Sequence, residues 1–264
     1  LTVLGVAIGV AAVITFVTLG ASLQADVLGE VAGDRTPSMA VAAGPADASP
    51  GPSGPQQAVF TERDVAEIQA LDGVDAVVPS GDVPVAGLAF EGQTLGYNQL
   101  TASTPAFFDY RTTAEFSAGG PYAQGAAELV LNEPAADLFE ENVSVGDQVA
   151  VVRPDGTRVN ATVVGLLGAS DSPFGGFAIP RVYVPTDPFY ETRLESPSTG
   201  DQQRVYPTLT VVAEDFQRVG DVREGVLAYL DGESDARRLK PESYEFRAQT
   251  AEDVVDQIRS LLDT

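Results

Sequence analysis

Carboxylates are the reactive side chains that this sequence supplies in quantity. The 264 residues include 38 Asp and Glu but neither His nor Cys. Zinc, copper, iron–sulfur and haem sites therefore lose their usual ligands, and Ser-His-Asp or Cys-His catalysis is excluded within the chain. The only lysine, Lys240, lies in "RRLKPES" and not in a Walker A motif, so the chain has no P-loop for nucleotide.

Paired carboxylates leave two kinds of chemistry open. A pair could bind a hard cation, and the candidates are Glu140–Glu141 and Asp253–Asp256. Neither has EF-hand spacing, and a solvated acidic face explains both. Two carboxylates could also catalyse hydrolysis, which requires a deep pocket and perturbed pKa values. No motif indicates such a pocket, so we expect no catalytic, cofactor-binding or metal-binding residue and no enzymatic activity.

Three short motifs could carry a modification or a contact. The triplets NVS and NAT fit the N-x-[ST] sequon, which makes Asn142 and Asn160 candidate N-glycosylation sites, with chance as the alternative. The Gly-rich stretch "DSPFGGFAIP" presents Phe174 and Phe177 as a candidate contact loop for a substrate or partner. A simple connection between elements is the alternative for that loop.

The first 23 residues, "LTVLGVAIGVAAVITFVTLGASL", carry no charge. As a helix they would reach about 34 Å, which exceeds the bilayer core of about 30 Å. The run is longer than the apolar core of a signal peptide and lacks the polar face of a buried helix, so it predicts a transmembrane helix. Gly5 and Gly9 form a G-x-x-x-G pattern, which favours packing against another membrane helix; simple abundance of Gly and Ala is the alternative.

Apolar residues continue past this predicted span at helical spacing. A row at every fourth residue extends the helix to about residue 33, and a matching stripe marks the closing segment "AEDVVDQIRSLLDT". We expect the two stripes to pack as an antiparallel stalk, with separate packing of each helix as the alternative. The stalk residues are Leu19, Leu23, Val27, Val31, Val254, Ile258 and Leu261.

Charge and composition limit the environment and the partners. The net charge is −23, which argues against nucleic-acid binding because phosphates require a basic face. The hydrophobic content of 44% argues against disorder. An acidic, lysine-poor surface is typical of proteins that work in high salt, where a short Debye length screens self-repulsion. The composition therefore predicts a halophilic source.

Two segments predict strand–helix–strand units. In residues 60–80, Thr61 and Asp64 form a capping-box pattern, and an apolar stripe precedes the Gly that ends the helix. Residues 206–250 show strand, helix, turn and strand, with a helical period that begins at Phe216. Paired units of this kind commonly form a split βαβ sheet with helices on one face.

The intervening residues are rich in strand patterns. Residues 128–139 predict a strand and a short helix, residues 144–167 a hairpin turned by "PDG", and residues 181–185 another strand. The predicted fold class is α+β, with an N-terminal transmembrane and stalk helix and a split βαβ lobe interrupted by a small β-rich inserted lobe. The predicted domains are the transmembrane and stalk helix 1–33, the α/β lobe 34–104 and 204–250, the inserted lobe 105–203 and the returning stalk helix 251–264.

Four stretches resemble the MacB-like periplasmic core domain of FtsX-type ABC transporter permeases. They are the apolar start, "YNQLTASTPAFFDY", "AELVLNEPAADLFEENVSVGDQVAVVRPDGTRVNATVVGLL" and "AIPRVYVPTD". The resemblance implies a cell-membrane protein whose main domain lies outside the cell and has no catalytic residues. It also implies further transmembrane helices, a second permease copy and a cytoplasmic ABC ATPase as partners.

The resemblance gives the leading functional hypothesis. In it, the chain couples cytoplasmic ATP hydrolysis to movement outside the membrane, either for export or for mechanotransmission. The alternative is a membrane-anchored solute-binding or interaction domain without a transport role. The two hypotheses differ in the sequence they require after Thr264, because only a permease needs further transmembrane helices there.

Overall fold

The computed structural model describes residues 36–46, 56–110, 115–168, 179–250 and 252–253, and strands dominate these ranges. The strands are β1 Ser38–Pro45, β2 Phe60–Thr61, β3 Val74–Pro84, β4 Gly87–Phe90, β5 Gln93–Leu95, β6 Gln99–Ser103, β7 Phe116–Gly119, β8 Glu128–Asn132, β9 Gln148–Val152, β10 Arg158–Leu167, β11 Val182–Pro185, β12 Arg193–Glu195, β13 Gln202–Tyr206, β14 Thr208–Ala213 and β15 Tyr244–Thr250. The helices are α1 Glu62–Gln69, α2 Phe107–Tyr110, α3 Glu133–Ala136, α4 Thr186–Phe189, α5 Val219–Gly232 and α6 Asp235–Leu239. The predicted mixed α+β class is confirmed.

Strands β1 and β3, which precede and follow α1, share one sheet with β14 and β15, which precede and follow α5. Its strand order is β15-β1-β14-β3-β6-β11-β8-β10-β9-β4-β5, with β7 paired to β10. Strand β14 lies antiparallel between β1 and β3, so the late unit is inserted into the early one. A second, three-stranded sheet has the order β12-β13-β2.

The strand pairing crosses the predicted lobe boundaries, and the lobe division itself stays a prediction. From β3, the path of hydrogen-bonded strands continues to β6 and then to β11. Further along this path is β4, which pairs with β9. Only Val85 and Ala86 separate β3 from β4, so the path of paired strands that leaves β3 reaches the strand that directly follows β3 in the chain. The hairpin β4–β5 therefore joins the strands of the segment predicted as the inserted lobe.

Alternation along the strands divides the core between the two faces of the sheet. In β8, Leu129 and Leu131 belong to the larger apolar cluster, whereas Val130 faces a smaller one. The smaller cluster is aromatic, because α2 lays Phe107 and Phe108 against Tyr183. Period-two side-chain placement is thus what gives the sheet two buried faces.

Local signals explain several element boundaries. Thr61 and Asp64 exchange hydrogen bonds as a capping box at the start of α1, as predicted. Asn132 caps α3, and the "PDG" turn joins β9 to β10 with Gly156 at a φ of 85°. The predicted hairpin, the strand–helix pair at 128–139 and the strand at 181–185 are confirmed.

The helix predicted within residues 206–250 begins later than its apolar period suggested. Helix α5 starts at Val219, so Phe216 precedes it and is 60% exposed. The physical reason is Asp215, whose Oδ1 accepts hydrogen bonds from the backbone N–H groups of Gln217 and Arg218. This turn competes with helix at that position. The segment predicted as a turn after α5 also contains the short helix α6.

Several predictions fall on residues outside the described ranges. These are the transmembrane and stalk helix 1–33 with its packing residues Gly5 and Gly9, the stalk residues Val254, Ile258 and Leu261, and the loop residues Phe174 and Phe177. Among the described helices none combines the length and apolar character needed to cross a membrane, and the longest of them, α5, has 14 residues.

Candidate functional site

The hairpin β12–β13, residues 193–206, connects α4 to the start of α1. Its strand β13 pairs with β2, which leads directly into α1. The hairpin also follows α4, which packs beside β6 and β11. We call this segment the junction hairpin, because the chain passes through it between β11 and β14.

A buried carboxylate, Asp64, joins α1 to the start of α6. Its Oδ1 accepts hydrogen bonds from the Tyr229 hydroxyl at 2.8 Å and from the Asp235 amide at 2.9 Å. Its Oδ2 accepts from the Ala236 amide at 3.0 Å and from Thr61 at 3.1 Å. Asp64 is fully buried. Burial, together with the charge and hydrogen bond of Asp64, raises the pKa of Tyr229.

A second buried carboxylate, Asp235, holds the tip of the junction hairpin. Its Oδ2 accepts from the hydroxyl of Ser196 and its Oδ1 from that of Ser198. Arg63 Nη1 lies 3.5 Å from Oδ1. Burial opposes ionisation of Asp235, but the two serine hydroxyls, Arg63 and Thr61 outweigh it and lower its pKa. The carboxylate is therefore kept ionised in a site without solvent exposure.

The other side of the junction hairpin is held by Arg204. Its Nη2 lies 2.9 Å from Oδ1 of Asp187 in α4, and its Nη1 lies 3.4 Å from Oε1 of Glu62 in α1. Its Nε donates to the carbonyl of Tyr190 at 3.4 Å. One guanidinium therefore connects α4, which lies beside β6 and β11, to α1, which lies beside β3.

Two tyrosines, one before the junction hairpin and one at its end, stack on each other. Tyr190 and Tyr206 stack with ring centroids 5.4 Å apart, and the Tyr190 hydroxyl donates to the Val205 carbonyl at 2.7 Å. The Tyr190 ring also covers Gly81 in β3, where a Cβ would lie 2.5 Å from the ring. Burial, followed by the charge of Glu62, raises the pKa of Tyr206 to about 12.

These contacts hold the junction together with buried hydrogen bonds and ion pairs. The carboxylate oxygens of Asp64 and Asp235 accept hydrogen bonds from donors within the domain, so neither side chain presents a free lone pair to a substrate. Within the described ranges no three acidic side chains are grouped closely enough to hold a metal ion. Hydrogen bonds to buried charged groups are worth about 1.5–3 kcal/mol each, so the junction is held firmly.

The predicted site residues that the structure describes lie away from this junction. Asn142 is exposed in the loop after α3, and Asn160 is exposed in β10. Glu140 and Glu141 are exposed in the same loop as Asn142. Asp253 instead accepts hydrogen bonds from Thr250 and pairs with Arg223 at 3.2 Å. The structure therefore places none of them at the junction, and Asp256, the predicted partner of Asp253, lies outside the described residues.

Sequence reasoning missed the junction residues. Ser234 and Asp235 begin a helix with a side-chain cap, a signal that the sequence contains but that the predicted turn concealed. Ser196, Ser198 and Arg204 carry no local signal, because their partners lie far away in the chain. Only the pairing of β13 with β2 brings them to the start of α1.

The fold is that of a mixed α+β domain, with a twelve-stranded sheet and a second sheet of three strands. The chain belongs to the family described as the MacB-like periplasmic core domain, whose model matches residues 1–229. This confirms the family in the predicted resemblance.

Two solved structures have a similar fold. The periplasmic region of MacB from Actinobacillus actinomycetemcomitans is 15% identical with a TM-score of 0.59, over 89% of this chain and 98% of that one. The extracellular domain of the noncanonic ABC-type transporter YknZ from Gram-positive bacteria is 17% identical with a TM-score of 0.53, over 80% of this chain and 99% of that one. No curated protein matches the chain.

Proposed function

We propose that the chain is the first transmembrane helix and extracytoplasmic domain of an FtsX-type ABC transporter permease. The observation that carries this proposal is the family match over residues 1–229, which includes the uncharged start. Its partners are a cytoplasmic ABC ATPase and a second permease copy. The domain has no enzymatic role, and it couples ATP hydrolysis to movement outside the membrane of a halophilic cell.

The sheet supports this proposal by bringing both ends of the domain to one edge. Met39 pairs with Thr250, so the start of β1 and the end of β15 are neighbours. The described domain therefore begins and ends on paired strands. This is the arrangement that an antiparallel stalk requires, and rigid-body motion of such a stalk would move the whole sheet.

Cysteine cross-linking in the full permease tests the coupling role. The chain has no native Cys, so Val27→Cys with Ile258→Cys, and neighbouring pairs along the two stripes, give an unambiguous product. We expect an oxidant to join at least one pair and to stop ATP-driven activity, with reductant restoring it. Each single-cysteine variant serves as the control and should keep its activity in oxidant.

Two results would contradict the proposal. If no pair cross-links, the stalk does not form. If pairs cross-link and activity persists, the stalk forms but does not transmit motion. The reading frame beyond Thr264 gives a separate test, because a permease requires further apolar spans there.

A further inference from the structure

The two N-x-[ST] sequons of the chain lie in different backbone settings. Asn142 belongs to the loop between α3 and β9, and residues 142–144 are part of no strand or helix. Asn160 lies within β10, where it pairs with Ala150 of β9. Both Asn residues are exposed, so exposure alone does not distinguish them. The difference lies in what the fold does with the rest of each triplet.

The triplet that begins at Asn160 is held by the main sheet. Asn160, Ala161 and Thr162 all pair in register with β9, and Ala161 is fully buried. The Thr162 amide donates to the Ala127 carbonyl at 2.9 Å, and its hydroxyl accepts from Gln148 Nε2 at 2.6 Å. An enzyme that reads this hydroxyl and the backbone around it would first have to open the pairing of β9 with β10.

The triplet that begins at Asn142 is open at the groups that define a sequon. Asn142 and Ser144 are both exposed. Among the residues that the structure describes, none forms a hydrogen bond with the Asn142 amide or with the Ser144 hydroxyl. The loop is anchored through other groups, because Val143 is buried and the Ser144 amide donates to Asp147 Oδ2 at 2.8 Å. The fold therefore presents Asn142 Nδ2 and the Ser144 hydroxyl together on an anchored surface loop.

Two exposed apolar side chains flank Asn142. Leu138 and Val145 are each 43% exposed, and they lie four residues before and three residues after it. A chain spans at most about 3.6 Å per residue, so both lie within about 15 Å of Asn142 and within reach of an attached oligosaccharide. A glycan is bulky and solubilising, so one on Asn142 would shield both side chains from other molecules.

We propose that Asn142, and not Asn160, carries an N-linked oligosaccharide. The inference rests on the proposed function, because a sequon is used on a domain that has left the cytoplasm. The sugar donor is an oligosaccharide carried on a polyprenyl phosphate lipid. A bond forms between Asn142 Nδ2 and the anomeric carbon of the first sugar, and the bond from that carbon to the phosphate oxygen breaks. The phosphate leaves with the electron pair, and Nδ2 loses one proton.

Peptide mass spectrometry of the full 264-residue chain tests the assignment. The chain is produced in the membrane of a halophilic host that N-glycosylates its own surface proteins, one of which is the positive control. Trypsin cleaves after Arg158, so the two sequons fall on separate peptides. We expect the mass of the glycan on the peptide that contains Asn142, whereas the peptide that contains Asn160 should be recovered only in its unmodified form.

Four variants test which groups the modification requires. Asn142→Gln should lose the glycan, and Ser144→Ala should lose it as well, although the acceptor amide is still present. Ser144→Thr restores a hydroxyl and should keep the glycan, and Asn160→Gln should leave it unchanged. Circular dichroism confirms that each variant folds as the parent chain does. A glycan that persists in Asn142→Gln, or that is lost in Asn160→Gln, would contradict the assignment.

Cysteine labelling in intact cells separates this inference from the proposed function. The chain has no native Cys, so Asp231→Cys places a single thiol at an exposed position of α5. A membrane-impermeant maleimide should label it. Labelling without a glycan on Asn142, or with a glycan on Asn160, overturns the inference and leaves the domain outside the cell. A thiol that reacts only after the cells are lysed overturns both.

Discussion

At the residue scale, the buried carboxylate Asp235 connects elements that no motif in the sequence indicated would meet. It receives the hydroxyls of Ser196 and Ser198 and lies 3.5 Å from Arg63. Through them it joins the tip of the junction hairpin to the starts of α1 and α6. The residue is fully buried, so its charge depends on those donors.

Asp235→Asn should lower the free energy of unfolding by about 1–3 kcal/mol, because a buried acceptor is replaced by a donor that faces hydroxyl donors. Chemical denaturation at neutral pH measures the change. Asp231→Asn is the control, since Asp231 is exposed one turn earlier on α5. A loss for Asp235→Asn no larger than that of the control would contradict the clamp.

The same variant predicts a pH dependence. The folded pKa of Asp235 is lowered, so ionisation contributes stability above the ordinary Asp pKa of about 3.9, and that contribution is lost as the pH falls through the folded value. The stability difference between the wild-type chain and Asp235→Asn should therefore shrink in acid. Denaturation curves at neutral and acidic pH measure it, and a difference that stays constant or grows would show that the charge is not what stabilises the clamp.

At the scale of elements, the segment after α4 packs against β3 because the Tyr190 ring lies over Gly81. Gly81→Ala should cost about 1–3 kcal/mol, since its Cβ would meet the Tyr190 ring at 2.5 Å. Gly96→Ala is the control, because no atom lies within 4 Å of a Cβ there. In a Tyr190→Ala background the cost of Gly81→Ala should largely disappear, as a double-mutant cycle would measure. Additive effects would contradict this packing.

At the scale of the whole molecule, the net charge of −23 should make stability depend on salt. Lowering the salt lengthens the Debye length and leaves the self-repulsion of the folded state unscreened. We expect the thermal midpoint to fall as NaCl is lowered. A variant with Glu224, Glu242 and Glu245, all exposed, changed to Gln should show a smaller slope. Equal slopes would indicate that salt acts by strengthening apolar burial and not by screening.

The sequence by itself determined the features that depend on neighbours in the chain. The capping box of Thr61 and Asp64, the Asn132 cap and the "PDG" turn are contacts over two or three residues, and each was predictable from residue types and spacing. The alternation of apolar residues likewise predicted the strands. The order of these elements was specific enough to indicate the family that the comparison confirmed.

Only the tertiary structure decided which of those elements meet. Asp64 and Asp235 are 171 residues apart, and no local pattern indicates that one carboxylate would accept from the other's amide. Phe216 fits the apolar period of the next helix, yet the Asp215 turn and the pairing of β14 place it outside. The physical reason is that helix periods, caps and turns are short-range preferences, whereas strand partners are selected by burying a shared core.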